Sequence, residues 1–261
     1  MPRANRYFLP GYVWHITHRC HKKEFLLKFS KDRKRWLYWL FEARKRYGLC
    51  VLNYIVTSNH IHLLVKDTGS SVIPKSLQLI AGRTAQEFNN RKNRKGAFWE
   101  DRYHATAVES GDHLIKCITY IDLNMVRAGA VKHPSEWLHS GYREIQSSPK
   151  RYHIIDTASL IRLCDINSLD EFQRQHYQWV TNELESGITK RNTSWSESIA
   201  IGSEGFIHKI NVSLGLKSKH RKIVEQDDKF IIQETQSFYT SLFNGKTSKI
   251  SINNMIKWDV L

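Results

Sequence analysis

Cysteine is scarce in this chain. Its 261 residues hold four, Cys20, Cys50, Cys117 and Cys164, and no two form a CxxC pair. That spacing excludes zinc knuckles and dithiol redox motifs and leaves reduced, structural thiols. Long hydrophobic runs are missing too: none approaches the roughly 18–20 residues a membrane-spanning helix needs. The opening MPRANRYFLPGYVW has no apolar stretch of the signal-peptide kind. A cytoplasmic protein with no membrane partner is expected. Internal repeats and low-complexity tracts are also absent. Acidic residues are outnumbered, 25 Asp+Glu against 40 Lys+Arg, for a formal net charge of +15. The imbalance is local. Residues 1–146 hold 25 Lys+Arg against 12 Asp+Glu, and residues 147–261 hold 15 against 13. A strongly cationic region attracts polyanions, of which nucleic acid is the commonest. The plainer alternative is a basic protein without such a partner.

What is present supports a folded core, with 41% hydrophobic residues. YVWHITHR (12–19) alternates and is rich in β-formers, so it reads as a strand. The stretch 30–48 reads as a helix with Ser30 as N-cap, Gly48 as its stop, and Trp36, Leu37, Leu40 and Phe41 at helical spacing. LCVLNYIVT (49–57) and HIHLLVK (60–66) are two further strands joined tightly through Ser58 and Asn59. A helix follows over 72–90, with Ile73, Leu77, Ile80, Ala81 and Phe88 inward. A fourth strand is expected within FWEDRYHATAVES (98–110), then a helix over 111–129. The order β-α-β-β-α-β predicts an α+β fold, a ferredoxin-like antiparallel sheet with helices on one face, and the last helix is an addition. These elements make a first domain, 1–146. The polar QSSPKRYH (146–153) reads as a linker, and 147–261 as a mainly helical C-terminal extension.

Within TSNHIHLLV (57–65), His60 and His62 are two apart on a strand and project to one face. They are either a chance pair on a half-buried strand or two arms of a metal site. Tyr120 and Asn124 are four apart on the last helix, and so share a face. Leu114, Ile118, Ile121 and Met125 form that helix's apolar stripe, which leaves Tyr120 and Asn124 off the core-facing direction. Were the helix to pack near the histidines, Asn124 could give an oxygen to a metal held by His60 and His62. Such a metal would polarise a phosphodiester, and Tyr120 would be the nucleophile of a covalent, two-step reaction. Each piece alone also reads as ordinary packing.

SNHIHLLV resembles the HUH motif (histidine, hydrophobic residue, histidine) of single-strand endonucleases. FWEDRYHA and YIDLNMVRAGAV resemble blocks of the IS200-like Y1 transposases, and within them most closely the REP-associated tyrosine transposases. GYVWHITHR resembles that family's first strand. The resemblance spans about residues 6–145. It implies metal-dependent cleavage of single-stranded DNA beside a REP-like hairpin, a 5′-phosphotyrosine link, and Mg²⁺ or Mn²⁺ as cofactor. By position it makes His60, His62 and Asn124 the metal ligands and Tyr120 the nucleophile. The family usually has Asn-Pro where this chain has Asn124-Met125, which implies altered helix packing rather than lost activity. A monomer is expected, with a dimer as the alternative. SWSESIAIGSEGFIHKI (194–210) resembles a segment found after the catalytic domain in longer members.

For DNA contacts the sequence offers Arg19, Lys22 and Lys23 after the first strand, and Arg91, Lys92, Arg94 and Lys95 in RKNRK. It also offers Arg102 and Tyr103 with Trp99 in FWEDRYHA, and Arg127 on the catalytic helix. Trp99 and Tyr103 are the rings able to stack on unpaired bases. Four other classes share part of this pattern. A relaxase normally carries its tyrosine before the HUH motif, and a replication initiator typically carries lysine three residues after the tyrosine, where this chain has Leu123. A non-catalytic hairpin-binding protein is compatible with the charge but ignores the complete residue set. A zinc hydrolase leaves Tyr120 and the charge without a role.

Overall fold

Val13–Arg19 (β1) is paired along both edges and so lies inside the sheet. The computed structural model describes residues 8–147, 149, 151–187, 192–215, 221–226 and 229–234. After β1 come α1 (Ser30–Tyr47), β2 (Cys50–Val56), β3 (His60–Lys66), α2 (Val72–Lys92), β4 (His104–Val108) and α3 (Asp112–Asp122). The four strands stand in the order β2-β3-β1-β4, every adjacent pair antiparallel. This is the ferredoxin-like arrangement that the element order predicts. No helix among the described residues is long and apolar enough to cross a membrane.

Local chemistry explains the boundaries. α1 stops where Gly48 takes a left-handed φ of 70°, a conformation costly for residues with a Cβ. Ser30 begins α1 rather than capping it. The N-cap position is Phe29, without a side-chain cap, and the Ser30 hydroxyl meets His139 Nε2 at 3.2 Å instead. On α2, Ile73, Leu77, Ile80 and Phe88 are buried as the periodicity requires. Arg91 and Lys92 belong to its last turn rather than to a loop. The helix expected over 111–129 is two pieces, α3 and the single turn α4 (Asn124–Arg127). Leu123, at ψ 4°, joins them. The bonds from Leu123 N–H to the Thr119 carbonyl and from Arg127 N–H to the Leu123 carbonyl carry the ladder across.

Beyond α5 (Tyr142–Gln146), the chain supplies α6 (Thr157–Leu163), α7 (Leu169–Glu185), α8 (Ser194–Glu197) and α9 (Glu204–Leu214). It also supplies three strands that the sequence did not reveal: β5 (Ala200–Gly202), β6 (Arg221–Gln226) and β7 (Lys229–Glu234). They extend the sheet as β4-β5-β7-β6, with β5 parallel to β4. β5 is three residues long and β6 is mostly polar and exposed, so neither carries a clear alternating pattern. A buried polar cluster ties α7 to α3. His176 Nε2 lies 2.7 Å from Asp122 Oδ2, and Asn53 Nδ2 donates to Asp122 Oδ1 at 3.0 Å. Gln146 meets the far side of the His176 ring at 2.8 Å. Gly141 passes so close to Asn53 that an added Cβ would also meet Ile155 Cδ1 at 2.9 Å, so a larger residue there forces both side chains to shift.

Candidate active site

One open cavity of about 710 Å³ gathers residues from six segments of the chain. His60 and His62 of β3, Tyr120 of α3 and Asn124 of α4 all line it. So do Thr17, His18 and Arg19 of β1, Glu100, Asp101, Arg102 and His104 near β4, Arg127 and Ala128, and Ser196 and Glu197 of α8. The sheet register explains the core of this set. Thr17 is opposite His62 and Arg19 opposite His60, so side chains of one face converge. The Leu123 junction keeps Tyr120 and Asn124 on the cavity side, and Met125 next to them turns into the core.

The hydrogen bonds assign a proton to each histidine. His15, fully buried on β1, has Nδ1 at 2.7 Å from the Trp195 carbonyl, which can only accept, so Nδ1 carries the hydrogen. Burial holds this imidazole neutral, with its pKa lowered to about 4. Its Nε2 is therefore an acceptor, and it lies 2.9 Å from His62 Nδ1, which must donate. The lone pair of His62 is then on Nε2, where the Asn124 Nδ2 amide donates to it at 3.0 Å. His60 repeats the pattern. Its Nδ1 lies 2.7 Å from Asn59 Oδ1, whose amide nitrogen is turned to the Lys23 carbonyl, so Nδ1 donates and Nε2 holds the lone pair. Metal-binding imidazoles are commonly held in this way, one nitrogen donating outward and the other aimed at the ion.

That donor chemistry fits a divalent ion. Two imidazole Nε2 atoms and an amide group, which offers its oxygen after a half-turn about its bond, make an N,N,O set with positions left over. Among the described residues no group of three or more His, Cys, Asp or Glu forms a metal site.

Tyr120 is buried among rings, 5.9 Å from His62, 6.2 Å from His15 and 6.0 Å from Trp195, between centroids. The Arg127 guanidinium sits 4.2 Å from the centroid of the Tyr120 ring, and its Nη2 donates to the Tyr120 carbonyl.

The expected DNA contacts divide. Arg19, Arg102 and Arg127 line the cavity. Lys22, Lys23, Lys92 and Lys95 are exposed outside it. Arg91 is ion-paired to Asp32, and Arg94 to Glu24 at 3.4 Å. Trp99, partly exposed, stacks one face on His18 at 4.1 Å and donates its Nε1–H to the Ala81 carbonyl. Tyr103 stacks with Phe8 at 6.2 Å. Sequence reasoning missed His15, His18, His104, Glu100, Asp101 and the α8 residues. His15 had one signal: on β1 it is in phase with Thr17 and Arg19.

Residues 10–124 match the family model described as "Transposase IS200 like". No curated protein matches the chain. A solved REP-associated tyrosine transposase bound to a REP hairpin is similar over 60% of this chain and 94% of its own, at 18% identity and a TM-score of 0.48. A candidate transposase from Deinococcus radiodurans is similar over 44% of this chain and 92% of its own, at 17% identity and a TM-score of 0.33. The match to the family model runs over the elements that bear His60, His62, Tyr120 and Asn124, and residues 10–124 are similar to the IS200-like transposases there.

Proposed function

We propose that the protein is a metal-dependent single-strand DNA endonuclease and strand transferase that cleaves beside DNA hairpins through Tyr120. One observation carries this reading: His60, His62, Asn124 and Tyr120 face a single cavity that is also lined by Arg19, Arg102 and Arg127. His60 and His62 would hold a Mg²⁺ or Mn²⁺ ion through Nε2, with Asn124 as third ligand. When bound, the ion supplies Lewis-acid polarisation of the scissile phosphate.

The chain's own groups do the rest. Arg19 and Arg102 bring guanidinium charge to the phosphate backbone in the cavity. Tyr120 Oη attacks phosphorus, the phosphorus–O3′ bond breaks, the phenol loses its proton and the 3′ oxygen gains one. The products are a 5′-phosphotyrosine and a free 3′-hydroxyl, and the ester conserves the bond for a later strand transfer. A hairpin flanked by single strand is the substrate that the resemblance to the REP-associated enzymes implies.

The test is covalent trapping. Labelled single-stranded hairpin oligonucleotides are incubated with the protein and Mn²⁺ and run on a denaturing gel. A metal-dependent shifted band, lost in Tyr120→Phe, is expected. Cleavage with no adduct would replace the nucleophile by metal-activated water, and an adduct formed by Tyr120→Phe would remove Tyr120 from its role.

A further inference from the structure

The loop between β1 and α1 carries two large apolar rings into solvent. Phe25 is 66% exposed and Phe29 52% exposed. Single exposed hydrophobics need no explanation, but these two are set among cations. Lys28 Nζ lies 5.9 Å and Lys92 Nζ 5.7 Å from the centroid of the Phe29 ring. Lys22 and Lys23, just before Phe25, are exposed as well. The one acid in the loop, Glu24, is already paired with Arg94.

The loop is held, not loose. Leu27 is fully buried beneath it, and Arg33 Nη1 donates to the Leu27 carbonyl at 2.8 Å and to the Lys28 carbonyl at 2.6 Å. Lys22 and Lys23 are fixed at φ 50° and 60°, left-handed values that a non-glycine residue adopts at a cost. The loop is also joined to the mouth of the active site. Leu27 N–H donates to the Ser58 carbonyl at 2.9 Å. Asn59 spans the gap, its Nδ2 donating to the Lys23 carbonyl at 3.3 Å while its Oδ1 accepts from His60 Nδ1 at 2.7 Å.

We infer that residues 22–29, with Lys92, form a platform for the single strand that runs out of the active site, with unpaired bases stacking on Phe25 and Phe29 and phosphates held by Lys22, Lys23, Lys28 and Lys92. Exposed rings interleaved with cations are what sequence-independent single-strand binding uses. The lysines above Phe29 match the charge of a phosphate backbone and no apolar partner. The assignment rests on the reading of the substrate as single-stranded DNA. It adds two phenylalanines to the stacking rings already expected in Trp99 and Tyr103, which are only partly exposed.

The experiment uses the full chain without metal, so no cleavage intervenes. Fluorescence anisotropy compares a labelled oligothymidylate with an abasic oligomer of equal length, which has the phosphates but no bases. F25A/F29A is expected to bind oligothymidylate at least about 10-fold more weakly, the scale of lost base–aromatic stacking, and to bind the abasic oligomer like the unaltered protein. F25Y/F29Y, which keeps both rings, is expected to restore binding. K28Q/K92Q is expected to weaken both oligomers. Equal loss on both oligomers, or no loss on either, for F25A/F29A would overturn the platform. Failure of the cleavage reading would look different: wild-type protein would give no covalent adduct with hairpins while this base-dependent difference persisted.

Discussion

Nε2 of His15 lies 2.9 Å from Nδ1 of His62 and accepts its proton, because the Trp195 carbonyl has fixed the hydrogen of His15 on the opposite nitrogen. Three hydrogen-bonding groups in series thus decide which nitrogen of His62 carries a lone pair. The series begins in α8, well past the matched residues 10–124. Outer partners of metal-binding histidines typically contribute about 10–100-fold in affinity. His15→Leu is therefore expected to weaken Mn²⁺ binding by that order, and His15→Gln, which offers His62 an amide oxygen, by less. Calorimetric titration of the metal-free protein measures both. Unchanged Mn²⁺ affinity in His15→Leu would mean that His62 is oriented by something else.

Removing a proposed ligand should separate chemistry from binding. His60→Ala and His62→Ala are expected to lose Mn²⁺-dependent cleavage of hairpin oligonucleotides but keep their affinity for them. Binding in both variants should still fall steeply with salt, because residues 1–146 keep their 25 Lys+Arg. Anisotropy across a salt series checks this. A collapse of binding at low salt would show that the histidines hold the DNA itself.

The parts of the fold that alternate or repeat with clear period were legible in the sequence. His60 and His62 were readable because a strand puts i and i+2 on one face, and Tyr120 and Asn124 because a helix does the same for i and i+4. The helix break at Leu123 left that face intact, so the prediction survived an error in the element. His15 was not legible, since nothing in WHITH says that its partner is a carbonyl 180 residues away. Nor were β5, β6 and β7: three residues of AIG and a polar hairpin become strands only because the edge of β4 accepts them. Trp99 shows what spacing cannot foretell: that its ring stacks on His18 and its N–H donates to the Ala81 carbonyl.

The Asp122–His176 contact is buried on both sides, and Asp122 lies between Tyr120 and Asn124 in sequence. His176→Leu leaves the carboxylate with only Asn53 as a side-chain partner in a site closed to water. Losing the hydrogen-bond donor of a buried carboxylate costs about 1–3 kcal/mol. A drop of that order in urea unfolding is expected, and with it a loss of covalent adduct, since α7 then no longer anchors α3. His176→Leu with normal stability would show that packing on Phe172 and Tyr142, whose rings neighbour His176, suffices.

His139 sets a pH limit on the fold. It is buried against Trp137 and the Ser30 hydroxyl. Its pKa is lowered to about 4, first by burial and then by the neighbouring charges of Arg33 and Lys34. An unfolded chain protonates the same imidazole near 6.5. Between those values the unfolded state binds the extra proton, so stability rises with pH in that window and is lost as pH falls through it. The slope from this one group is at most about 1.4 kcal/mol per pH unit. Urea midpoints taken at several pH values between neutrality and pH 4 should fall for the wild-type protein. They should fall less steeply for His139→Gln, which has no proton to gain. Parallel curves for the two proteins would place the acid sensitivity elsewhere.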